Sequence, residues 1–320
     1  MRPFGVVTPL VRPSVGVVIP TKDRLPDLLV TMASVLRQDL PPTEIIVIDQ
    51  SNTSAADKAI AESVVEFGAL ENGPELVYRW EPQLRGPAAA RNYGARLARS
   101  DVVVIMDDDV TVEPACFRTL VDTLVTAPHA GGVGGVETQL ERSSFVNLLY
   151  RSIFFLGPFA DSKYWISRYS RRIRPGAYKV GTLKTCLAAY WRRVLLKYPF
   201  NEAWKAPLLE DKEQGLRSGR EFAYYVNPAA RGAHRVSPLN RLHGRRAYEA
   251  SAIAWAYYYK TCLSSSPSKM ALYLWLNLGL LTGAFVNSLR HRSPEPLKGL
   301  LSGWWKSLRG FKGQDYVADN

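Results

Sequence analysis

Three consecutive carboxylates, Asp107, Asp108 and Asp109, follow the apolar run of residues 101–106 (DVVVIM). Packed together they repel one another, which raises their pKa values unless a cation or water relieves it. Oxygen ligands at that spacing suit Mg2+ or Mn2+, ions that commonly bridge substrate phosphates. On extended backbone Asp107 and Asp109 point the same way and can share one ion. The competing reading is a solvated turn in which one Asp caps a helix. A second acidic pair, Glu210 and Asp211, reads on its own as a helix N-terminus favoured by the macrodipole.

The elements that must hold these residues follow from periodicity. Residues 15–19, 44–49 (EIIVID), 76–80 and 101–106 are short apolar runs, read as buried strands. Leu25, Leu28, Leu29, Met32, Val35 and Leu36 recur at helical spacing, with Pro26 near the first turn. Residues 55–67 and 87–98 read as helices, and Pro114 opens another. Strands separated by helices predict an α/β fold with a mainly parallel sheet covered on both faces. Ligands then bind beyond the carboxyl ends of the strands. Those ends carry Thr21, Lys22, Asp23 and Arg24, then Asp49 and Gln50, then the three aspartates, all along one rim.

Charge divides the 320-residue chain. Residues 1–140 hold 12 Lys+Arg against 18 Asp+Glu, a net of −6; residues 141–320 hold 29 against 11, a net of +18. A basic half suits an anionic surface: lipid headgroups, a phosphorylated substrate or nucleic acid. With 47 % hydrophobic residues the chain is not a disordered one. Cys116, Cys186 and Cys262 are too few and too dispersed for a disulfide framework or a close-spaced metal site. The first 20 residues contain four prolines, and the run at 15–19 reads as a strand rather than a signal-peptide core.

Four segments in order, VVIPTKDR (17–24), EIIVID (44–49), GPAAARNYG (86–94) and IMDDD (105–109), resemble the family 2 glycosyltransferases with the GT-A fold, of bacterial type. Residues 188–193 (AAYWRR), 200–202 (FNE) and 210–217 (EDKEQGLR) look like the second half of that pattern. The resemblance covers about residues 14–240. It implies a nucleotide-diphosphate sugar donor, a divalent metal (Mn2+ or Mg2+) and an inverting transfer. Carried across, Asp107 and Asp109 hold the ion and donor diphosphate, and Asp108 between them is also expected to bind the nucleotide sugar. Asp49 holds the base or ribose. Pro20, Thr21, Asp23 and Arg24 form the loop that touches the nucleotide, and Arg91 and Asn92 approach the donor. Asp211 is the catalytic base with Glu210 beside it. His234 best matches a histidine that in some relatives helps hold metal or diphosphate; a lone loop histidine is the plain reading. For Arg91 and Asn92 the plain reading is a helix-surface arginine and a polar cap. Gln50, Lys22 and Asn201 depart from the usual pattern and blur the nucleotide contacts without removing a catalytic group.

The expected organisation is a catalytic unit over 1–240, with a nucleotide half near 14–128 and an acceptor half near 129–240. A basic, apolar helical region follows over 241–320. There Leu297, Leu300, Leu301, Trp304, Trp305, Leu308 and Phe311 recur at helical spacing, interleaved with Lys298, Lys306, Arg309 and Lys312. Such a helix suits a membrane interface, or alternatively packs on the catalytic unit. Residues 270–289 are long and apolar enough to span a bilayer, yet carry Asn277, Thr282 and Asn287. An in-plane helix is preferred, and a core helix or a true span stays open. The expected location is cytoplasmic, peripheral on the inner face of the cell membrane. The expected acceptor is a lipid-linked or cell-surface glycan intermediate, and nucleic acid is not an expected partner. A sugar-nucleotide nucleotidyltransferase is the alternative enzyme, but the loop at 20–24 lacks its usual glycines. A non-catalytic, membrane-binding protein of the same fold leaves the acidic rim without a purpose.

Overall fold

Strand β1 (Val15–Thr21) buries side chains on both of its faces, so it must lie inside a sheet covered on both sides. The computed structural model describes residues 12–52, 73–142, 144–204, 208–237, 242–263 and 266–309. The helix expected at 55–67 lies outside them, as do Phe311 and Lys312. Helix α1 (Leu25–Val35) lays Leu28, Met32 and Val35 on one sheet face, against Val17 and Ile19. Strands β2 (Glu44–Asp49) and β3 (Glu75–Trp80) extend the sheet in parallel from β1. Helix α2 (Gly86–Leu97) covers the other face, with Ala88, Ala90 and Ala95 against Val18, Ile46 and Ile48. Small residues bring α2 close to the strands; a Cβ at Gly94 would collide with Val18.

Strand β4 (Val102–Met106) joins β1 in parallel and turns through the three aspartates into β5 (Val110–Val112). Helix α3 (Cys116–Thr126) then buries Phe117, Leu120, Val121 and Leu124 beneath the sheet. Strand β6 (Ala130–Glu137) is buried along its whole length. The aromatic stretch that follows forms α4 (Phe145–Phe154) and α5 (Ser162–Arg168), with a short turn at Gly157–Phe159 between them. Strand β7 (Tyr178–Val180), strand β8 (Leu187–Trp191), helix α6 (Arg192–Lys197), helix α7 (Glu210–Ser218) and strand β9 (Ala223–His234) complete the sheet region. The strand order among the described residues is β3-β2-β1-β4-β8-β6-β9-β5, with β7 also on β9. The sheet is mixed: β8 lies antiparallel between β4 and β6, and β5 and β7 run antiparallel to β9. Side-chain alternation reports burial rather than strand direction, so these reversals are invisible in the apolar pattern.

Three helices follow. They are α8 (Gly244–Tyr258), continued by a π-turn at Tyr259–Leu263, then α9 (Pro267–Arg290) and α10 (Glu295–Leu308). Trp255, Tyr258 and Leu276 pack with Phe159 and Trp204, so an aromatic core joins the helices to the sheet region. Helix α10 crosses α8 closely at Gly299 and Gly303, and Leu300 packs with Ala252 and Ala284. The neighbouring tryptophans of α10 part company. Trp304 packs on this small core, whereas Trp305 is 54 % exposed. Only one ring of the pair is therefore available to a membrane interface.

A Cβ at Gly303 would lie 2.6 Å from the Glu249 carbonyl oxygen and 2.7 Å from Ala252 Cβ. Gly303→Val is expected to cost about 1–3 kcal/mol by overpacking this crossing. Calorimetry would register it as a thermal midpoint several degrees lower.

Candidate active site

The three aspartates occupy a turn rather than extended backbone, closed by a Val110 N–H to Asp107 O bond of 3.3 Å. They still divide as the alternation argument requires. Asp108 faces the β1 end: it accepts from Thr21 Oγ1 at 2.7 Å and Arg24 Nη1 at 3.1 Å, and its backbone oxygen accepts from Thr31. Burial pushes its carboxyl up to about 6, against the pull of Thr21 and Arg24. Asp108 is thus an internal clamp on the β1–α1 loop. Thr21 and Arg24 are part of the same clamp, with Pro20 partly exposed before them.

Asp107 and Asp109 turn to His234. The antiparallel register of β5 and β9 sets Val110 opposite His234, which delivers the imidazole to the neighbouring Asp109. His234 Nε2 lies 3.0 Å from Asp109 Oδ1, and the Ser237 amide donates to Asp109 Oδ2 at 2.9 Å. One ligand atom from each of Asp107, Asp109 and His234 falls within 4.8 Å of the others. The two carboxylate oxygens suit Mn2+ or Mg2+, and the imidazole nitrogen beside them favours Mn2+ over the harder Mg2+. Burial alone would strip the imidazolium proton, but hydrogen bonds to Asp109, Cys186 and Glu137 outweigh it and push the pKa up to about 12. A metal ion would take the ring as a neutral ligand and release that proton.

Behind His234 sits a group of residues without a visible sequence signal. Glu137 ends β6 and reaches His234 Nδ1 at 3.8 Å, with Lys163 and Lys184 each 3.6 Å from its other oxygen. Burial would raise the Glu137 carboxyl, yet Lys163 and the neighbouring cations hold it well below the usual carboxylate range. A carboxylate behind a metal-binding histidine orients the ring. Glu137 closes an apolar strand as Asp49 does, and that shared pattern was the one available clue. Cys186 and Lys163 arrive through antiparallel pairing and a helix whose placement the sequence does not reveal.

Across the cleft, α7 begins at Leu209, whose φ of 75° turns the chain sharply into Glu210 and Asp211. Arg91, on α2, joins the two acidic groups. Its Nη1 donates to Glu210 Oε1 at 2.7 Å and its Nη2 to Asp107 Oδ1 at 3.2 Å, with the guanidinium over the Phe200 ring. Burial disfavours its charge, but Glu210 and Asp107 more than restore it, holding the pKa above the ordinary arginine value. Asp211 is pushed up to about 6, by burial first and then by Glu210, with Arg91 opposing both. A buried carboxylate near that value can accept a proton at neutral pH.

The part of the rim expected to meet the nucleotide is closely bonded internally. Asp49 is fully buried; one oxygen accepts from the Ser51 amide at 2.8 Å and from its hydroxyl, the other from Tyr78 Oη at 2.6 Å. Its observed work is to shape the Gln50–Ser51 turn, where Ser51 Oγ in turn accepts from the Asp23 amide at 2.7 Å. Asp23 has a φ of 52° and an exposed side chain, so it remains accessible on the rim. Gln50 donates to the carbonyls of Leu84 and Gly86 and so anchors the entry to α2. Asn92 exchanges hydrogen bonds with the backbone of Phe200 and donates to Glu202. Its amide ties α2 to the segment of residues 200–202. A depression of about 310 Å3 lies at the opposite strand ends, around Ser14, Glu44 and Arg99, away from these acids.

With this geometry in place, residues 16–198 match the model of glycosyl transferase family 2. The chain belongs to that family. It is 35 % identical over 105 residues to the glucosyl-dolichyl phosphate glucuronosyltransferase of Haloferax volcanii, covering 33 % of this chain and 31 % of that protein. It is 34 % identical over 116 residues to the uncharacterized glycosyltransferase YwdF of Bacillus subtilis, covering 35 % of this chain and 39 % of that one. The chain therefore spans only about a third of the length of the curated relatives it matches. Its fold is that of the mannosyltransferase PcManGT from Pyrobaculum calidifontis, solved with GDP-Man and Mn2+. The TM-score is 0.61 at 18 % identity, over 96 % of this chain and 90 % of that one. GalNAc-T7, solved with UDP, GalNAc and Mn2+, superposes with a TM-score of 0.50 at 13 % identity, over 88 % and 59 % of the two chains. The mixed sheet is accordingly a GT-A fold followed by C-terminal helices.

Arg91 opposes the upward shift of Asp211, so removing its charge should move that group higher. Any activity that needs Asp211 ionised should rise with pH through about 6. In Arg91→Gln the same limb is expected at higher pH, with a rate loss of roughly tenfold or more at neutral pH. A pH–rate profile of both proteins checks the sign; an unshifted limb separates Arg91 from the base.

Proposed function

We propose that this protein is an inverting glycosyltransferase that moves a sugar from a nucleotide-diphosphate donor to the hydroxyl of a lipid-linked glycan acceptor at a membrane surface. The observation that carries the reading is the meeting of two acidic groups across Arg91. Asp107 and Asp109 with His234 stand on one side, Glu210 and Asp211 on the other. The first group suits a divalent ion, which when bound neutralises the leaving diphosphate as a Lewis acid. Asp23 and Arg24 border the nucleotide end, with Asp49 holding the turn between them and Tyr78.

Asp211 takes the proton of the acceptor hydroxyl as that oxygen attacks the anomeric carbon. The bond to the diphosphate breaks on the opposite face, so one displacement inverts the centre. Positive charge develops on the sugar ring in the process, as in glycoside hydrolysis. Glu210 is tied to Arg91, which leaves Asp211 as the acid of the pair that is not spent on the guanidinium. The basic C-terminal half and the long apolar α9 favour a peripheral site on the cytoplasmic membrane face. The dolichyl phosphate substrate named for the Haloferax volcanii relative supports an acceptor of that class.

The roles separate by substitution. Asp211→Asn is expected to keep Mn2+-dependent stabilisation by a nucleotide sugar and to lose transfer by roughly a hundredfold or more. Asp109→Ala should lose the stabilisation itself, because a ligand raises apparent stability only in proportion to its affinity for the folded state. Thermal shift with UDP-, GDP- and dTDP-sugars, with and without Mn2+, reads the second property. Transfer of radiolabelled sugar to a lipid extract reads the first. Full transfer by Asp211→Asn would remove it as base.

A further inference from the structure

Helix α4 is not a connector but half of a two-helix layer. Tyr150 Oη donates to the Gly279 carbonyl at 2.7 Å, and Trp275 Nε1 donates to the Ile153 carbonyl at 2.6 Å. Phe154 packs directly over Gly279, and Tyr150 over Gly283, so the lack of side chains on α9 seats α4 against it. The outer side of this layer is apolar. Phe145 and Val146 on α4 are 71 % and 74 % exposed, with Leu149 beside them; Leu274, Leu278 and Phe285 form a matching exposed stripe on α9. Between Met270 and Leu289 helix α9 has no charged residue. Cations mark the ends of the layer: Arg142 before α4, Lys269 at the start of α9, and Arg290 and Arg292 at its end.

We propose that α4 and α9 together form one docking face that lies in the plane of an anionic lipid bilayer. The proposal rests on the reading of a lipid-linked acceptor and names the surface that would bring the site to it. An apolar stripe ended by cations matches a membrane whose acyl region lies beneath anionic headgroups. The same charge argues against a second copy as occupant, because the half of the chain that carries this face has a net charge of +18. The in-plane arrangement follows from packing. Helix α9 touches protein through its middle turns, at Leu276 and Gly279 against the Phe159 core and α4, and at Ala284 against α8 and α10. Those last helices are laced by Glu249 to Ser302 and Lys306, a charged pair that a spanning α9 would carry into hydrocarbon. The face is also wired to the site. Lys212, next to Asp211, donates to the carbonyls of Pro158 and Ala160, in the turn that directly follows α4.

The test uses the full chain and flotation with phosphatidylcholine vesicles, with and without phosphatidylglycerol. Wild-type protein should float with the anionic vesicles and less with the neutral ones. Val146→Asp with Leu149→Asp, and separately Leu274→Asp with Leu278→Asp, should each reduce the bound fraction roughly tenfold or more. All four positions are exposed, so Mn2+-dependent stabilisation by the nucleotide sugar should be unchanged in both pairs. Absence of that stabilisation in wild type would defeat the proposed function and leave the face standing. Three results would overturn the face: no flotation of wild type, wild-type flotation of the α4 pair, or a dimer in sedimentation that either pair dissociates. Depth has its own readout. Emission lost on Trp275→Phe should be quenched more by lipids brominated near the headgroup than at the chain end, and the reverse order would overturn the in-plane arrangement.

Discussion

A buried guanidinium held between two acids is the constraint on which the site depends. Arg91 is 5 % exposed and pairs with Asp107 from the turn after β4 and with Glu210 from the start of α7. These residues are far apart in sequence, so one side chain sets the spacing of the cleft walls. Taken singly, each of these groups is costly to bury. Removing one partner of such a set leaves the buried guanidinium with one acid fewer to balance it. The arrangement is therefore cooperative: the guanidinium permits the acids, and the acids permit the guanidinium. It also explains how Asp211 stays near the range in which a base is useful. Burial and Glu210 raise it, while Arg91 limits the rise.

The sheet supplies the second half of the geometry through its reversals. A wholly parallel sheet would end every strand at one rim but would bring no strand back to it from the far side. Because β8 runs antiparallel to β4, it starts at the rim, and the Cys186 carbonyl accepts the Asp107 amide at 3.2 Å. Strand β9 runs parallel to β6 and, through the two antiparallel pairings of β8, in the direction of β4, so it ends at the same rim, and His234 arrives beside Asp109. The acids and the histidine thus come from strand ends and turns of strands that run one way, while Cys186 comes from the start of the reversed strand β8. The bonds of Asp108 to Thr21, Arg24 and Thr31 stiffen the loop opposite, so that the middle acid fixes the frame in which its neighbours work.

What could be read in advance follows from how locally each feature is encoded. The buried strands and their acidic ends were legible because near-continuous apolar runs need no tertiary information. His234 could be placed only by family likeness, since nothing around residues 232–237 announces a ligand. The register Val110 to His234 is a tertiary fact. Glu137, Lys163 and Cys186 were missed for the same reason. Asn92 and Asp49 were legible as important but not as to role. Their types say that hydrogen bonds are needed, whereas only the fold says that the partners are Phe200 and Glu202, or Ser51 and Tyr78. In the C-terminal region helical spacing was correct for α10, yet it could not tell Trp304 from Trp305. Both lie within one turn, and the close approach at Gly303 decides which one is covered.

The helical region is more than an attachment to the catalytic sheet. Phe159, in the turn between α4 and α5, packs with Trp255 and Tyr258 of α8 and with Leu276 of α9. The preceding residue and the following one present the carbonyls that Lys212 grips. A displacement of α4 or α9 would therefore be felt at a turn held by the residue beside Asp211. Aromatic cores of this kind move as discrete packed units rather than deforming smoothly. The start of α7 is consequently tied to the same layer that carries the exposed apolar stripe. Whatever orients that layer also orients the residue beside Asp211.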